Sequence, residues 1–194
     1  GMLIHYDFLV VALGSQTNFF GMKDVQENSY QMSTINDAIL LRNRIIDLME
    51  QAENETDPIL RKALLKIVIV GGGFAGVETA GELNDFINDV SEYYPSIDEH
   101  DVKVTLVEAS TEILTGFPQK LAGFAKDKLV ERGIDVILDA GVTSFNGQEV
   151  LLKSNSKSNK VLLSDSSQEK GHSELVELNS ISSRTLVWTA GVTP

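Results

Sequence analysis

Three glycines at a fixed spacing are the residues of this 194-residue chain whose pattern most directly suggests chemistry. Residues 71–76 read GGGFAG and contain the pattern G-x-G-x-x-G at Gly71, Gly73 and Gly76. Between a strand and a helix, such a turn leaves backbone amides free at the helix N-terminus, where they can hold a phosphate. Gly71 would allow the tight turn, Gly73 the approach of a pyrophosphate, and Gly76 close packing of the helix on the sheet. The pattern therefore predicts a dinucleotide-binding turn.

Two acidic side chains accompany this turn. Glu108 follows the next predicted strand and is the candidate acceptor for the hydroxyls of an adenosine ribose. It lies 32 positions after Gly76 (108 − 76), where about 20 is usual, and the surplus is assigned to a longer helix and a loop within residues 84–101. No arginine stands among residues 109–111 to receive a 2′-phosphate, which favours NADH over NADPH. Glu78 is predicted in the first helical turn, where the helix dipole alone would favour an acid.

The elements that must position these residues alternate between strands and helices. Strands are predicted at 6–13, 66–70, 102–107, 134–138 and 185–188, and helices at 35–52, 58–65, 75–90 and 118–133. On the last helix, Leu121, Phe124, Ala125 and Leu129 are predicted to face the core. Beyond Gly147, short apolar pieces among many serines predict a β-meander. The alternation predicts an α/β fold, a Rossmann-like three-layer unit with a central parallel sheet.

Composition narrows the classes of function. The net charge is −12, which makes nucleic acid and anionic membrane surfaces poor partners. The absence of cysteine excludes disulfides and thiolate metal sites, and the three histidines show no ligand spacing, so no metal site is predicted. The longest apolar run is far shorter than the roughly 20 residues of a membrane span, and no secretory signal is visible. These features fit a cytoplasmic location.

Several segments, taken in order, resemble one family. They are YDFLVVALGS at 6–15, NDA at 36–38, KIVIVGGGFAGVETAGEL at 66–83, VTLVEAS at 104–110 and LVWTAGVTP at 186–194. They are similar to the middle of type II NADH dehydrogenases, single-subunit flavoproteins that pass electrons from NADH to quinone. In that family an NADH domain is inserted into an FAD domain. The resemblance therefore implies an excised central piece that would be inactive without its flavin.

The resemblance also implies a division of the chain and a role for each part. Residues 1–35 would be a remnant strand of the FAD domain with a linker, 36–182 the NAD(H)-binding domain, and 183–194 the strand that returns towards the FAD domain. NADH would be the cofactor here, and FAD would be bound in the full-length parent. Quinone and the membrane would be reached only through other segments. The parent would lie peripherally on the cytoplasmic membrane face, and a homodimer is left open.

Residue by residue, the same resemblance assigns one end of the cofactor to each group of side chains. The glycines would hold the NADH pyrophosphate and Glu108 the adenosine ribose. Glu78, the candidate catalytic residue, would lie near the nicotinamide, and so would the two interdomain crossings at residues 12–15 and 190–191. The complete cofactor-binding set is Gly71, Gly72, Gly73, Phe74, Ala75, Gly76, Glu78, Glu108, Ala109, Ser110, Ala190 and Gly191.

Three other interpretations remain open at this point. The chain could belong to a related flavin reductase whose electron acceptor is a protein, because the distinguishing residues would lie elsewhere. It could be a stand-alone NAD-sensing module, although the turns at Gly14 and Gly191 resemble interdomain crossings. The glycine turn could also bind the adenylate of FAD. Against that, an FAD-type strand and turn at residues 6–15 already precede it.

Overall fold

Helices and strands alternate along most of the chain, as the apolar pattern predicts. The computed structural model describes residues 1–98, 101–154, 161–162 and 179–193. The helices are α1 (Lys23–Asn28), α2 (Ile35–Asn54), α3 (Pro58–Leu64), α4 (Phe74–Ser91) and α5 (Gln119–Glu131). The strands are β1 (Gln16–Thr17), β2 (Tyr30–Gln31), β3 (Lys66–Val70), β4 (Lys103–Val107), β5 (Asp135–Ile137), β6 (Ala140–Phe145), β7 (Glu149–Ser154), β8 (Val161–Leu162), β9 (Ser180–Ser182), β10 (Thr185–Trp188) and β11 (Val192–Thr193).

A six-stranded sheet forms the centre of the molecule. Its strand order is β2-β10-β3-β4-β5-β8, and all neighbours are parallel except β5 and β8. In β3, Ile67 and Ile69 face one core cluster while Val68 and Val70 face another. Because side chains alternate between faces and both faces are covered, the strand is apolar throughout. The predicted Rossmann-like α/β fold is confirmed.

The two core clusters correspond to the two layers that cover this sheet. The first cluster draws on α2, α3, α4 and α5, which share one face. The second draws on α1 and on a three-stranded antiparallel sheet with the order β6-β7-β9, which covers the other face. The result is a three-layer arrangement of helices, parallel sheet and antiparallel sheet.

The predicted β-meander is present with one difference. Strands β6, β7 and β9 pair antiparallel in sequence order, but β8, which lies between β7 and β9 in the chain, leaves them. It pairs with β5 instead and so forms the edge strand of the central sheet. The predicted apolar piece at 175–178 lies outside the described residues.

The strand predicted at residues 6–13 is not formed. No residue before Gln16 is in a strand, and the apolar side chains of this segment are exposed, with Phe8 at 92%. A strand is stabilised by hydrogen bonds to a neighbour and by cover on at least one face. Within the described residues nothing supplies either, so the β-forming sequence stays extended and unpaired.

Packing extends across the boundary predicted at residue 35. Phe19 and Val25 are buried in the second core cluster, and Tyr30 is paired within the central sheet. The division into 1–35, 36–182 and 183–194 therefore stays a prediction, and the packing of residues 19–31 does not favour its first boundary.

The long connection between the glycine turn and Glu108 is built as predicted. Helix α4 extends to Ser91, and the loop that follows folds back on α2. The hydroxyl of Ser96 donates to the Glu53 carbonyl at 3.0 Å, and Arg61 donates to the Ser96 carbonyl. No helix among the described residues combines the length and the apolar character that a bilayer crossing requires.

The predicted inner face of helix α5 is confirmed at Ala125 and Leu129 but is wrong at Leu121 and Phe124. Leu121 and Phe124 are 55% and 60% exposed, whereas Ala122 and Leu129 are buried. Ala125 packs against the first core cluster in part. The small side chain of Ala122 permits close approach to the sheet, so the bulkier Leu121 and Phe124 turn outward.

Asp24 joins α1 to the antiparallel sheet and leads to a testable pH dependence. Its carboxylate accepts hydrogen bonds from the Ser144 hydroxyl and, at 3.0 Å, from the Phe145 amide. The Ser144 hydrogen bond lowers the pKa of Asp24 below the ordinary 3.8, outweighing partial burial, which raises it. A carboxyl with a lowered folded-state pKa stabilises the fold above the unfolded pKa, and that contribution is lost as pH falls through the folded pKa.

We therefore expect Asp24→Asn to lower the free energy of unfolding at pH 6–7. The gap between wild type and variant should close as the pH falls below about 4, where the unfolded-state carboxyl protonates. Urea unfolding at several pH values measures this gap. Asp7→Asn in the exposed first segment serves as the control. A gap that is unchanged between pH 7 and pH 3 would show that the charge of Asp24 contributes nothing.

Candidate dinucleotide-binding site

Gly71 makes the sharp turn that ends β3. Its φ is +107°, a conformation that side-chain-bearing residues rarely adopt. Its amide donates to the Val107 carbonyl at 2.9 Å, which ties the turn to the end of β4. A Cβ here would lie 3.0 Å from the backbone N and Cα of Ala190. Both the backbone conformation and the packing therefore require glycine.

Gly76 lets α4 lie directly on this turn. A Cβ at this position would stand 1.7 Å from the Gly71 carbonyl oxygen and 2.8 Å from Thr189 Oγ1. Such distances are far inside van der Waals contact, so any side chain would push the helix off the sheet. The predicted reason for this glycine, close helix packing, agrees with the geometry.

Gly73 differs from the other two because it faces open space. It is the N-cap of α4, its φ of −74° suits any residue, and a Cβ would meet nothing within 4 Å. No side chain caps the helix here, so the first amides of α4 keep their hydrogen-bonding capacity. An anion placed beside Gly73 would meet these donors at the positive end of the helix dipole. The backbone therefore fits a pyrophosphate.

Glu108 lies beside the turn at the end of β4. Its Oε2 accepts from the Gly72 amide at 2.5 Å, and its Oε1 accepts from the Ser110 amide at 2.7 Å. Its own amide donates to the Ile137 carbonyl at 2.8 Å, which continues the ladder with β5. These bonds hold a half-buried carboxylate at the edge of the glycine turn. Each oxygen keeps a further lone pair that could accept a ribose hydroxyl.

The loop after Glu108 closes against the same turn. The amide of Leu114 donates to the Gly72 carbonyl at 2.7 Å, and Ile113 is buried. A Cβ on Gly72 would lie 2.9 Å from Ile113 Cγ2 and 3.0 Å from the Glu108 side chain. Gly72, which the G-x-G-x-x-G pattern leaves unrestricted, is thus also limited to a residue without a side chain.

An open cleft of about 360 Å³ runs along the carboxyl ends of β3, β4 and β10. Apart from Glu108, the described residues that line it are uncharged, and most are apolar. The lining residues are Phe20, Met22, Val70, Gly71, Val107, Glu108, Ala109, Ala140, Gly141, Val142, Trp188 and Ala190. Ligands of open α/β sheets bind at this edge, outside the carboxyl ends of the strands. Gly71 of the glycine turn and Glu108 therefore line the same cleft.

Comparison with known proteins shows the family of this chain. The sequence profile of the pyridine nucleotide-disulphide oxidoreductases matches residues 1–194. The chain belongs to this family.

Relatives of this family member are named as quinone-reducing enzymes. The external alternative NAD(P)H-ubiquinone oxidoreductase B3 of Arabidopsis thaliana, named as mitochondrial, is 40% identical over 155 residues, which are 77% of this chain and 26% of that protein. The external alternative NADH-ubiquinone oxidoreductase of Yarrowia lipolytica, also named as mitochondrial, is 35% identical over 191 residues, 98% of this chain and 30% of that protein. These relatives confirm the resemblance to type II NADH dehydrogenases. The chain spans only about a quarter to a third of their length.

A solved structure extends the likeness to the fold of this chain. NDH2 from Plasmodium falciparum, solved in complex with NADH, superposes with a TM-score of 0.78 at 26% identity. The match covers 98% of this chain and 35% of that protein. The arrangement of sheet, glycine turn and antiparallel sheet is therefore that of an NADH-binding relative.

Most of the predicted site residues lie together. The residues of the turn, Glu108 and Ser110 are connected by hydrogen bonds and packing, and Ala109 and Ala190 line the cleft. Phe74 and Ala75 are exposed, and the Phe74 ring meets Phe117 edge to face with centroids 4.7 Å apart. Gly191 is exposed at the crossing and has a φ of +76°.

Glu78 lies one residue further along the helix than predicted. Helix α4 begins at Phe74, which makes Glu78 its fifth residue, and the first turn contains no acid. The interpretation that the helix dipole holds Glu78 in the first turn is therefore wrong. Its side chain is exposed. Among the described residues, no group of histidines and acids is placed to hold a metal ion.

Aromatic residues at the crossing were not predicted from the sequence. Phe19 stacks on Trp188 with centroids 5.7 Å apart, and Phe20, in a left-handed conformation with φ 50°, meets Trp188 edge-on. Trp188 Nε1 donates to the Asn18 carbonyl at 3.0 Å. Residues 18–20 lie about 170 positions before Trp188, so no local pattern could have indicated this contact. The tryptophan itself was visible in the segment WTAG.

Proposed function

We propose that this chain binds NADH across the carboxyl ends of β3, β4 and β10. The pyrophosphate would lie on the amides at Gly73 and the start of α4, and Glu108 would accept hydrogen bonds from the adenosine ribose. One observation supports this most directly. Of the three motif glycines, Gly73 alone faces open space, whereas a side chain at Gly71 or Gly76 would collide with neighbouring parts of the fold. This open space leaves the N-cap amides of α4 accessible to an anion.

The protein as a whole would be an NADH dehydrogenase. The names of the relatives support a reaction in which NADH reduces ubiquinone. FAD bound in the remainder of the protein would supply the redox chemistry between NADH and quinone, and the residues described here would bind and orient the NADH. Because the chain spans about a quarter to a third of these relatives, the flavin and quinone sites are proposed for the remainder of the protein, and this piece alone should not turn over.

The nicotinamide would lie towards the crossing at Ala190 and Gly191. Ala190 lines the cleft beside Gly71, and the apolar wall formed by Phe20, Met22 and Trp188 would exclude water from that end. Glu78 is proposed near the nicotinamide on the basis of the family resemblance. Its exposed position on α4 leaves its carboxylate available to a group that approaches from outside.

Peripheral attachment of the whole protein to a membrane is proposed from the lipid-soluble acceptor of its relatives. We propose the cytoplasmic membrane face as the location of the whole protein. Homodimer formation stays a prediction. The relatives named here are mitochondrial.

Binding of NADH tests the proposal directly. The chain contains one tryptophan, Trp188, and it lines the cleft, so bound NADH should quench it by energy transfer. Titration of the purified protein should give saturable quenching of Trp188 and enhanced NADH emission. Flavin absorbance of the same sample shows whether FAD is bound by this piece. A folded protein that binds no NADH by either signal would contradict the proposal.

Glu108 should set the preference for NADH over NADPH. A 2′-phosphate would bring negative charge against the Glu108 carboxylate, which the Gly72 and Ser110 amides hold in place. We expect wild type to bind NADH at least about tenfold more tightly than NADPH, a difference of about 1.4 kcal/mol. Glu108→Gln removes the charge, so NADH affinity should fall and the NADPH-to-NADH affinity ratio should rise severalfold.

Paired titrations with both nucleotides measure this ratio. Glu112→Gln, four residues along the same loop and outside the residues that line the cleft, is the control and should leave the ratio unchanged. An unchanged ratio in Glu108→Gln would show that this carboxylate does not face the ribose.

A further inference from the structure

Thr189, the residue after β10, contacts the glycine turn from its sheet side. Its amide donates to the Val70 carbonyl at 2.9 Å. Its hydroxyl oxygen Oγ1 lies 2.7 Å from the Val70 carbonyl oxygen and 3.2 Å from that of Gly71. Both neighbours are acceptors, so the single hydroxyl proton is donated to Val70 and shared with Gly71. One side chain thus fixes the last peptide of β3 and the first peptide of the turn.

The same oxygen also fills the space between the turn and α4. A Cβ at Gly76 would lie 2.8 Å from Thr189 Oγ1, and one at Gly71 would lie 3.1 Å from it. The hydroxyl therefore lies in the space that side chains at Gly71 and Gly76 would otherwise fill. Thr189 is half-buried there, which limits competition from water for its hydrogen bonds.

The orientation of the Gly71 peptide determines where the following amides point. The Gly72 amide is directed at Glu108, and those at the start of α4 face the open space beside Gly73. If the Gly71 carbonyl were free to rotate, this set of donors would lose its alignment before any ligand arrived. Binding would then have to restore the alignment at a cost in conformational entropy.

We propose that Thr189 is a positioning residue for the dinucleotide pyrophosphate. It acts through Gly71: its hydroxyl holds the turn in the conformation in which the amides of α4 are ready to bind. This inference rests on the proposed NADH site and adds a residue that lies outside the glycine motif, directly after β10 and 118 positions further along the chain than Gly71.

Three variants separate the hydroxyl from the rest of the side chain. Thr189→Val keeps the branched shape and removes the hydroxyl, while Thr189→Ser keeps the hydroxyl. Thr185→Val makes the same change at the other end of β10, where Oγ1 accepts from Arg44 Nε at 3.4 Å and does not touch the turn. NADH affinity is measured by calorimetry, and hydrogen–deuterium exchange of residues 71–77 is followed in the free protein.

We expect Thr189→Val to raise the Kd for NADH about five- to tenfold, or about 1–1.4 kcal/mol at 1.4 kcal/mol per factor of ten. Exchange in residues 71–77 should quicken in the same variant. Thr189→Ser and Thr185→Val should bind NADH with an affinity within about twofold of the wild-type value. For Thr185→Val this should hold even if the variant is less stable. Rescue by serine distinguishes positioning by the hydroxyl from general packing.

The outcomes separate this inference from the proposed function. If Thr189→Val binds NADH and exchanges amide hydrogens as the wild-type protein does, the role of Thr189 is overturned. The proposed NADH site still stands in that case, provided that the wild-type protein binds NADH. A Thr189→Ser variant as weak as Thr189→Val would also overturn it, because the hydroxyl would then not be the cause. If wild type binds no NADH, the proposed function fails and this inference fails with it.

Discussion

Replacing Gly76 with alanine should abolish NADH binding and weaken the fold at the same time. The new Cβ would stand 1.7 Å from the Gly71 carbonyl oxygen and 2.8 Å from Thr189 Oγ1, and neither neighbour can move without displacing the turn or β10. Overpacking of a rigid backbone contact typically costs about 1–3 kcal/mol and occasionally more, so we expect a loss of about 2–4 kcal/mol in the free energy of unfolding. Displacement of α4 should raise the Kd for NADH more than about 100-fold, or about 2.7 kcal/mol.

Helix α4 contains its own control for this experiment. Gly81 lies on the same helix, and a Cβ there would meet only the Arg132 guanidinium, at an ordinary 3.5 Å. Glycine inside a helix is less favourable than alanine by about 0.5–1 kcal/mol, so Gly81→Ala should stabilise the protein and leave NADH binding intact. Urea unfolding and NADH titration of both variants provide the comparison. A Gly76→Ala protein with wild-type stability would show that α4 does not lie as close to the turn as described.

The second large effect is expected when Gly73 is replaced with alanine. This change should weaken NADH binding and leave the stability of the fold nearly unchanged. Alanine there meets nothing within 4 Å, and a φ of −74° is permitted to it, so the free energy of unfolding should change by less than about 1 kcal/mol. The methyl group would instead occupy the space proposed for the pyrophosphate. We expect the Kd for NADH to rise about 30- to 100-fold, which equals about 2–2.8 kcal/mol.

The same two measurements test this variant. Gly123→Ala on α5 is the matched control, because its Cβ would also meet nothing within 4 Å but lies on another helix. It should leave the affinity for NADH unchanged. A Gly73→Ala protein that binds NADH as tightly as wild type would place the pyrophosphate elsewhere, and the proposed site would have to be abandoned.

Residues whose role follows from their own chemistry were predictable from the sequence. Strand β3 was predicted with its observed bounds because a strand covered on both faces is apolar at every position. The predicted start of α2 at residue 35 is the observed one, and the structure shows a capping box of Thr34 and Asp37 there. The roles of Gly71 and Gly76 were predictable because they depend only on the absence of a side chain, and the residue type given by the motif states that absence.

Roles that depend on distant contacts were not predictable. Thr189 contacts Val70 across 119 positions, because β10 lies beside β3 in the sheet although it is last in the chain order of the parallel strands. The apolar segment 6–13 has strand-forming residues, but strand formation requires a neighbour that no local pattern specifies. On α5, Leu121 and Phe124 were predicted to face the core because they are apolar, but packing against the sheet selected Ala122 instead.

The short ribbon of β1 and β11 has a topological consequence. Thr17 pairs with Val192 and Gln16 with Thr193, so the chain enters and leaves the body at adjacent residues, roughly 5 Å apart. The two ends of the intervening chain are thus held side by side by one short ribbon. Such an arrangement can be joined to another domain through two neighbouring connections at little cost in loop-closure entropy.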